Sequence, residues 1–128
     1  MTICGVNLLT VEGEKHKVEN FLKLFPGIME EFNLTRIIPS SRMKEDSFVP
    51  AEVFFMSKHC IGPDRTKVIA EVHLTSGVVV PHWFVIDAAV AYPELTLTLR
   101  SVEDNADMDG TIICKHGKVV SSDWDLNA

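Results

Sequence analysis

Tryptophan, tyrosine and cysteine are scarce in this chain: two Trp, one Tyr and three Cys in 128 residues. The cysteines, Cys4, Cys60 and Cys114, are odd in number and widely spaced, which makes a poor disulfide framework and fits no zinc spacing. Three small, mostly buried thiols are expected instead. Glycine never clusters. Its positions at 5, 13, 27, 62, 77, 110 and 117 are isolated, so no glycine-rich loop can cradle a phosphate. A membrane span needs roughly 20 apolar residues in succession. The longest apolar run, Val78 to Ile86, is broken by Pro81 and His82. No basic residue precedes the first apolar stretch, and Asn7 and Glu12 interrupt it, so a secretory signal is not expected and the cytoplasm is the expected compartment. Positive charge is short as well: 12 Lys+Arg against 18 Asp+Glu leaves −6 at pH 7. That balance opposes a broad phosphate-binding surface. Arg36, Arg42, Lys44, Lys58, Arg65 and Lys67 are scattered rather than striped, and nucleic acid is not the expected partner.

What is present is an ordinary globular composition, 46% hydrophobic and 23% charged. A chain of this length buries roughly two-thirds of its unfolded surface without a staple. No repeat, low-complexity tract or long linker divides it, so residues 1–128 are expected to form one domain. Ile3 to Thr10 predicts a first strand, with Cys4, Val6, Leu8 and Thr10 on the buried face and Gly5 and Asn7 opposite. Val18, Phe21, Leu22 and Phe25 then fall at helical spacing within 13–25, and Pro26 ends or kinks that helix. Ile28, Met29 and Phe32 prolong the stripe, predicting a short helical turn after Pro26. Phe32 to Ile38 predicts a second strand, and Ser40 to Pro50 an exposed loop. Glu52 to Cys60 and Lys67 to Leu74 flank a Gly62-Pro63-Asp64 turn and predict a hairpin. In its second arm Val68, Ala70, Val72 and Leu74 face one side, Lys67, Glu71 and His73 the other. His82 to Tyr92, opened by Pro81 and stopped by Pro93, is apolar almost all round and predicts a buried helix. Leu95, Leu97 and Leu99 alternate with Thr96, Thr98 and Arg100 in the clearest strand. Thr111 to Lys115 and Lys118 to Ser122 close the chain as a hairpin about His116-Gly117. This order predicts an α+β fold: a mainly antiparallel sheet with two helices on one face and a C-terminal hairpin, close to a split βαβ sandwich.

Certain stretches also resemble the ferredoxin-like domain of Api92-like proteins, a family carried by phages, plasmids and other bacterial mobile elements. The resembling pieces are NLLTVEG, VENFLKLF, FNLTRIIP, the proline-opened helix leading into AYPELTLTLRSVED, and the closing pair around KHGKVV. The resemblance implies a ferredoxin-like fold over nearly the whole chain and a mobile-element setting. It implies no catalytic residue. The family's opening tryptophan-and-cysteine stretch is reduced here to Cys4. The tryptophan-rich segment before its third strand is missing, with 40–50 as a shortened stand-in.

No Gly-x-Ser-x-Gly elbow and no His-Glu-x-x-His occurs, and no catalytic, cofactor or metal residues are assigned. His59 and Cys60, with His73, are the nearest approach to a metal group, but strand neighbours point to opposite faces. Asn105 to Gly110 matches the first half of a calcium loop, yet His116 stands where a bidentate carboxylate should close it. An acidic, solvated turn between strands is expected there. The candidate partner-binding residues are Asp104, Asp107 and Asp109 in that turn and Trp124, flanked by Asp123 and Asp125, near the terminus. Negative charge thus gathers toward the C-terminal end. The functional expectation is a non-enzymatic, protein-binding accessory factor of a bacterial mobile element, acting on a host or mobile-element protein. By analogy, it would antagonise host defence as an anti-CRISPR or anti-restriction inhibitor does. The alternative is nucleic-acid binding through the open sheet face, which would need exposed aromatics or Arg. A homodimer through a sheet edge or the Trp124 tail is the candidate self-association.

Overall fold

The computed structural model describes residues 5–34, 37, 50–76, 82–103 and 109–123. Among them the order is β1 (Gly5–Glu14), α1 (Lys15–Leu22), β2 (Glu31–Asn33), β3 (Pro50–Ile61), β4 (Lys67–Ser76), α2 (His82–Ala91), β5 (Thr96–Glu103), β6 (Asp109–Lys115) and β7 (Lys118–Ser122). The strands form one seven-stranded sheet in the order β2-β3-β4-β1-β5-β6-β7, and every pairing is antiparallel. The class is α+β. No helix among the described residues is long and apolar enough to cross a membrane.

One face of the sheet is the core. In register across it lie Leu9 and Val11 of β1, Val72 and Ala70 of β4, and Leu99 and Leu97 of β5. Ile112 and Cys114 of β6 continue these rows, and all eight side chains are buried. Side chains two residues apart share a face, so these strands bury one side each and leave the other outward. Both helices cover that buried side. Val18 and Phe21 of α1 and Phe84, Val85, Ala88 and Ala89 of α2 complete the core. Edge-to-face rings join the helices: Phe21 meets Tyr92 at 5.3 Å and Phe25 meets Phe84 at 6.1 Å. The N-terminus of α1 is tied to the β3–β4 turn by Lys15 N–H donating to Thr66 C=O at 2.9 Å. At the last hairpin His116 and Gly117 both have positive φ, 52° and 76°, the geometry that matches a two-residue turn to strand twist.

Several expectations are corrected. The buried face of β1 carries Asn7, Leu9 and Val11, while Val6, expected inside, is 45% exposed. The strand has apolar residues on both faces, and its lateral neighbours decide. Leu9 and Val11 align with aliphatic side chains, whereas Leu8 aligns with His73 and Arg100. Asn7 is accommodated inside because Ser101 Oγ donates to its Oδ1 at 2.5 Å and its Nδ2 donates to Leu74 C=O. Among the described residues the second strand is Glu31–Asn33; Leu34 is buried and its C=O accepts from Ile37 N–H, while 35, 36 and 38 of the expected strand lie outside the described residues. After Pro26 the chain makes turns rather than a helix, and Met29 N–H donates to Val53 C=O, giving the sheet a donor that a helical turn would use. Cys60 is exposed on β3, outside the part of the sheet that α1 covers, since α1 packs on β1 and β4, whereas Cys114 is buried.

Candidate functional site

The face of the sheet opposite the helices is uncovered by any helix or strand among the described residues, and its composition is set by register. One row crosses five strands: Phe55 opposite His73, His73 opposite Leu8, Leu8 opposite Arg100, and Arg100 opposite Thr111. The adjacent row holds Ser57, Glu71, Thr10, Thr98 and Ile113.

A bulge concentrates aromatic surface at one end of the first row. Pairing between β3 and β4 slips between Val53 and Phe55, so two residues of β3 oppose one of β4. Before the bulge Ala51 and Val53 point into the core; after it Met56 aligns with buried Val72. Phe54 and Phe55 are both left outside, 40% and 50% exposed. Their rings flank His73 edge-on, with centroids at 5.8 Å and 5.1 Å. His73 Nε2 lies 3.3 Å from Glu71 Oε2, which fixes the imidazole between the two rings. Two exposed phenyl rings flank an imidazole that has Leu8 opposite it on β1, with Val6 on the same face; together they form a contact area for apolar or planar groups, and Arg100 adds a donor fork at its margin.

Charge on this face is mixed. Glu12, Glu52 and Glu71 share it with Lys67, Arg100, Lys115 and Lys118, by their alternation with core positions. Of the ionisable groups, Glu19 on α1 is held below the usual carboxylate range, chiefly by its hydrogen bond to Lys58 Nζ at 3.1 Å. The backbone N–H of Thr66 holds Asp64 low in the same way. Burial alone pushes the Cys114 thiol up, so it is not a nucleophile in waiting. Among the described residues no three His, Cys, Asp or Glu side chains converge on a metal position. His59 and Cys60 align with Ile69 and Val68 respectively, and so lie on opposite faces.

Of the residues singled out from sequence, Asp104, Asp107 and Trp124 lie outside the described residues, as does the rest of the acidic turn at 104–108. Asp109 opens β6, its backbone opposite Val102. The Thr96, Thr98, Arg100, Lys67, Glu71 and His73 set, expected on the open face, is there. The residues that sequence reasoning missed are Phe54 and Phe55. Their signal is the run Val53-Phe54-Phe55-Met56, which fails to alternate inside a strand and is how a bulge is written. Comparison of the chain with known protein families, with characterised proteins and with solved structures found no match.

Proposed function

We propose that this chain is a non-enzymatic protein-binding accessory factor, of the kind carried by bacterial mobile elements, that docks through the open face of its sheet. The observation that carries the reading is the bulge-presented pair Phe54 and Phe55 around His73, exposed where a β-strand alternation would have hidden one of them. Exposed aromatics with an Arg on the same face are the composition of protein–protein anchors. The mixed charges around them suit a protein surface better than a phosphate backbone. The ferredoxin-like assignment belongs to the same proposal. Its support is the run β3-β4-β1-β5, in which each βαβ pair is split by one antiparallel strand, with β2 and the β6–β7 hairpin added at the edges. Kinship with Api92-like proteins, action in the cytoplasm and antagonism of a host defence protein rest on sequence resemblance and analogy.

The test is affinity capture from bacterial lysate by the full chain. Native protein is expected to retain a stoichiometric protein partner. The pair of substitutions Phe54→Ser and Phe55→Ser is expected to release it without changing the circular dichroism spectrum, since both side chains are exposed. Capture of nothing stoichiometric by native protein, or undiminished capture by the double variant, overturns the proposal.

One observation favours a second reading. The alternative of nucleic-acid binding needs aromatics or Arg on this face, and Phe54, Phe55 and Arg100 supply both. Fluorescence anisotropy with single-stranded and duplex DNA separates the two. Binding that weakens steeply between about 50 and 200 mM salt and is lost in Arg100→Ala would make nucleic acid the partner.

A further inference from the structure

Among the described residues the outer edge of the sheet at β3 is almost bare. β2 pairs only with Pro50, Ala51 and Glu52, and Met29 N–H reaches Val53 C=O. From Phe54 to Ile61 β3 has β4 on its inner side and, among the described residues, no strand on the other. A strand edge of that length leaves every second residue's backbone N–H and C=O without a ladder partner and is a template for another chain. Alongside this edge runs a groove of about 490 Å³ between α1 and β3. Its apolar wall is Leu22, Met56 and Ile28, the last 55% exposed, and its rim is Glu19, Lys23 and Lys58. The groove exists because α1 stops at Leu22 and the chain turns away through Pro26, so the helix covers β4 and β1 but not the edge.

We propose that this edge takes an extended peptide segment of a partner protein, added as a strand collinear with β2. One apolar side chain of that segment fills the groove, and a carboxylate two residues along lies between Lys23 and Lys58. The proposal rests on the protein-binding reading and names the form of the partner. Side chains of an added strand alternate, so those not entering the groove lie on the open face next to Phe54 and Phe55. Backbone hydrogen bonds supply affinity in this mode, and the groove supplies selectivity. Charge selects the occupant. Lys23 and Lys58 outweigh Glu19 at the rim, which favours an acidic segment. A second copy would bring its own Lys58 to the same edge, setting like charge against like.

The experiment pans a displayed library of random peptides, about twelve residues long, against the full chain, then measures binding of the selected sequences as synthetic peptides. Selected peptides are expected to share an aliphatic or Met residue with Asp or Glu two positions away. Binding should slow amide hydrogen exchange at alternate residues within 54–61. Ile28→Asp, at an exposed position outside the core, should weaken it by about tenfold, whereas Ile28→Val should not. Lys23→Glu should shift the selected sequences from acidic to basic. Four results overturn the proposal: no enrichment, protection elsewhere such as β7, alternate amides of 54–61 already protected in the free monomer, or protection that rises with protein concentration because a second copy pairs there. Peptide binding that survives Phe54→Ser with Phe55→Ser, while lysate capture is unaffected by that pair, would sink the open-face reading and leave the edge intact. Lysate capture that needs the phenyl rings but ignores Ile28→Asp would do the reverse.

Discussion

Among the described residues Asn7 and Ser101 are the polar residues of the core, 1% and 0% exposed, and they sit opposite each other on β1 and β5. A buried amide is tolerated only when hydrogen-bonded, and Ser101 Oγ supplies a donor to Asn7 Oδ1 while Leu74 C=O accepts from Nδ2. Ser101→Ala withdraws that donor and should cost about 1–3 kcal/mol, as should Asn7→Leu, which strands the hydroxyl. Replacing both together removes the need along with the bond. Urea denaturation of the double variant should therefore show clearly less than the sum of the single losses. Additive losses would mean that the pair does not act as a unit. Cys114 sets a second test at this scale. Burial raises its folded pKa above the unfolded one, so the folded state holds the thiol proton more tightly. Stability is then unaffected by this group below the unfolded thiol pKa and falls as the pH climbs from there toward the folded value. The urea midpoint of native protein should drop more over that alkaline window than that of Cys114→Val. Exposed Cys60 should react with a thiol reagent in the folded state while Cys114 does not.

Element by element, the structure separates what alternation can encode from what it cannot. The buried faces of β4 and β5 are legible, because Val68, Ala70, Val72 and Leu74, and Leu97 and Leu99, alternate with outward positions, although β4 runs on to Ser76 and β5 spans Thr96–Glu103 rather than 94–102. Both helices are legible from spacing and from their prolines, and the last hairpin from His116-Gly117. β1 misleads because Val6, Leu8, Leu9 and Val11 populate both faces, so only the identity of its neighbours across the sheet, 59 and more residues away, selects the buried one. The aromatic pair on β3 is hidden for a related reason: a bulge is a property of two strands, and a single strand's pattern shows it only as a lapse in alternation. Register also predicts how β3 tolerates deletion. Removing Phe54 leaves Val53 inward, Phe55 outward and Met56 inward, an unbroken alternation. That variant should fold with a loss of no more than about 2 kcal/mol. Removing Ser57 instead turns either Met56 and its predecessors or Lys58 and its successors to the wrong face, and should cost well beyond that. Equal damage from the two deletions, measured by chemical denaturation, would refute the bulge.

For the whole molecule the sheet order ranks stability. β1 is the hub: it pairs over its whole length with β4 on one side and over most of it with β5 on the other. Its inward side chains Leu9 and Val11 are fully buried under the helices. The edges are weaker in both respects. β2 holds three residues, and β7 leaves Val119 and Val120 exposed at 36% and 56%. Opening the protein from either edge exposes little apolar surface, whereas freeing β1 requires separating strands distant in sequence and uncovering the core, which amounts to global unfolding. Native-state amide exchange should therefore be slowest for the inward-bonded amides of β1, β4 and β5, with a common free energy equal to that of global unfolding. It should grow faster stepwise through β6 to β7 on one side and through β3 to β2 on the other. The gradient has a functional side. Docking by strand addition falls on β3, which borders the stable centre through β4 yet, among the described residues, has a bare outer edge, so a partner strand binds to a rigid template without having to order it first. If β3 exchanged as fast as β2, its ordering would subtract from binding, and the edge would be a poor acceptor. Slow exchange for its inward amides beside fast exchange for its outward ones is the pattern a preformed strand acceptor must show.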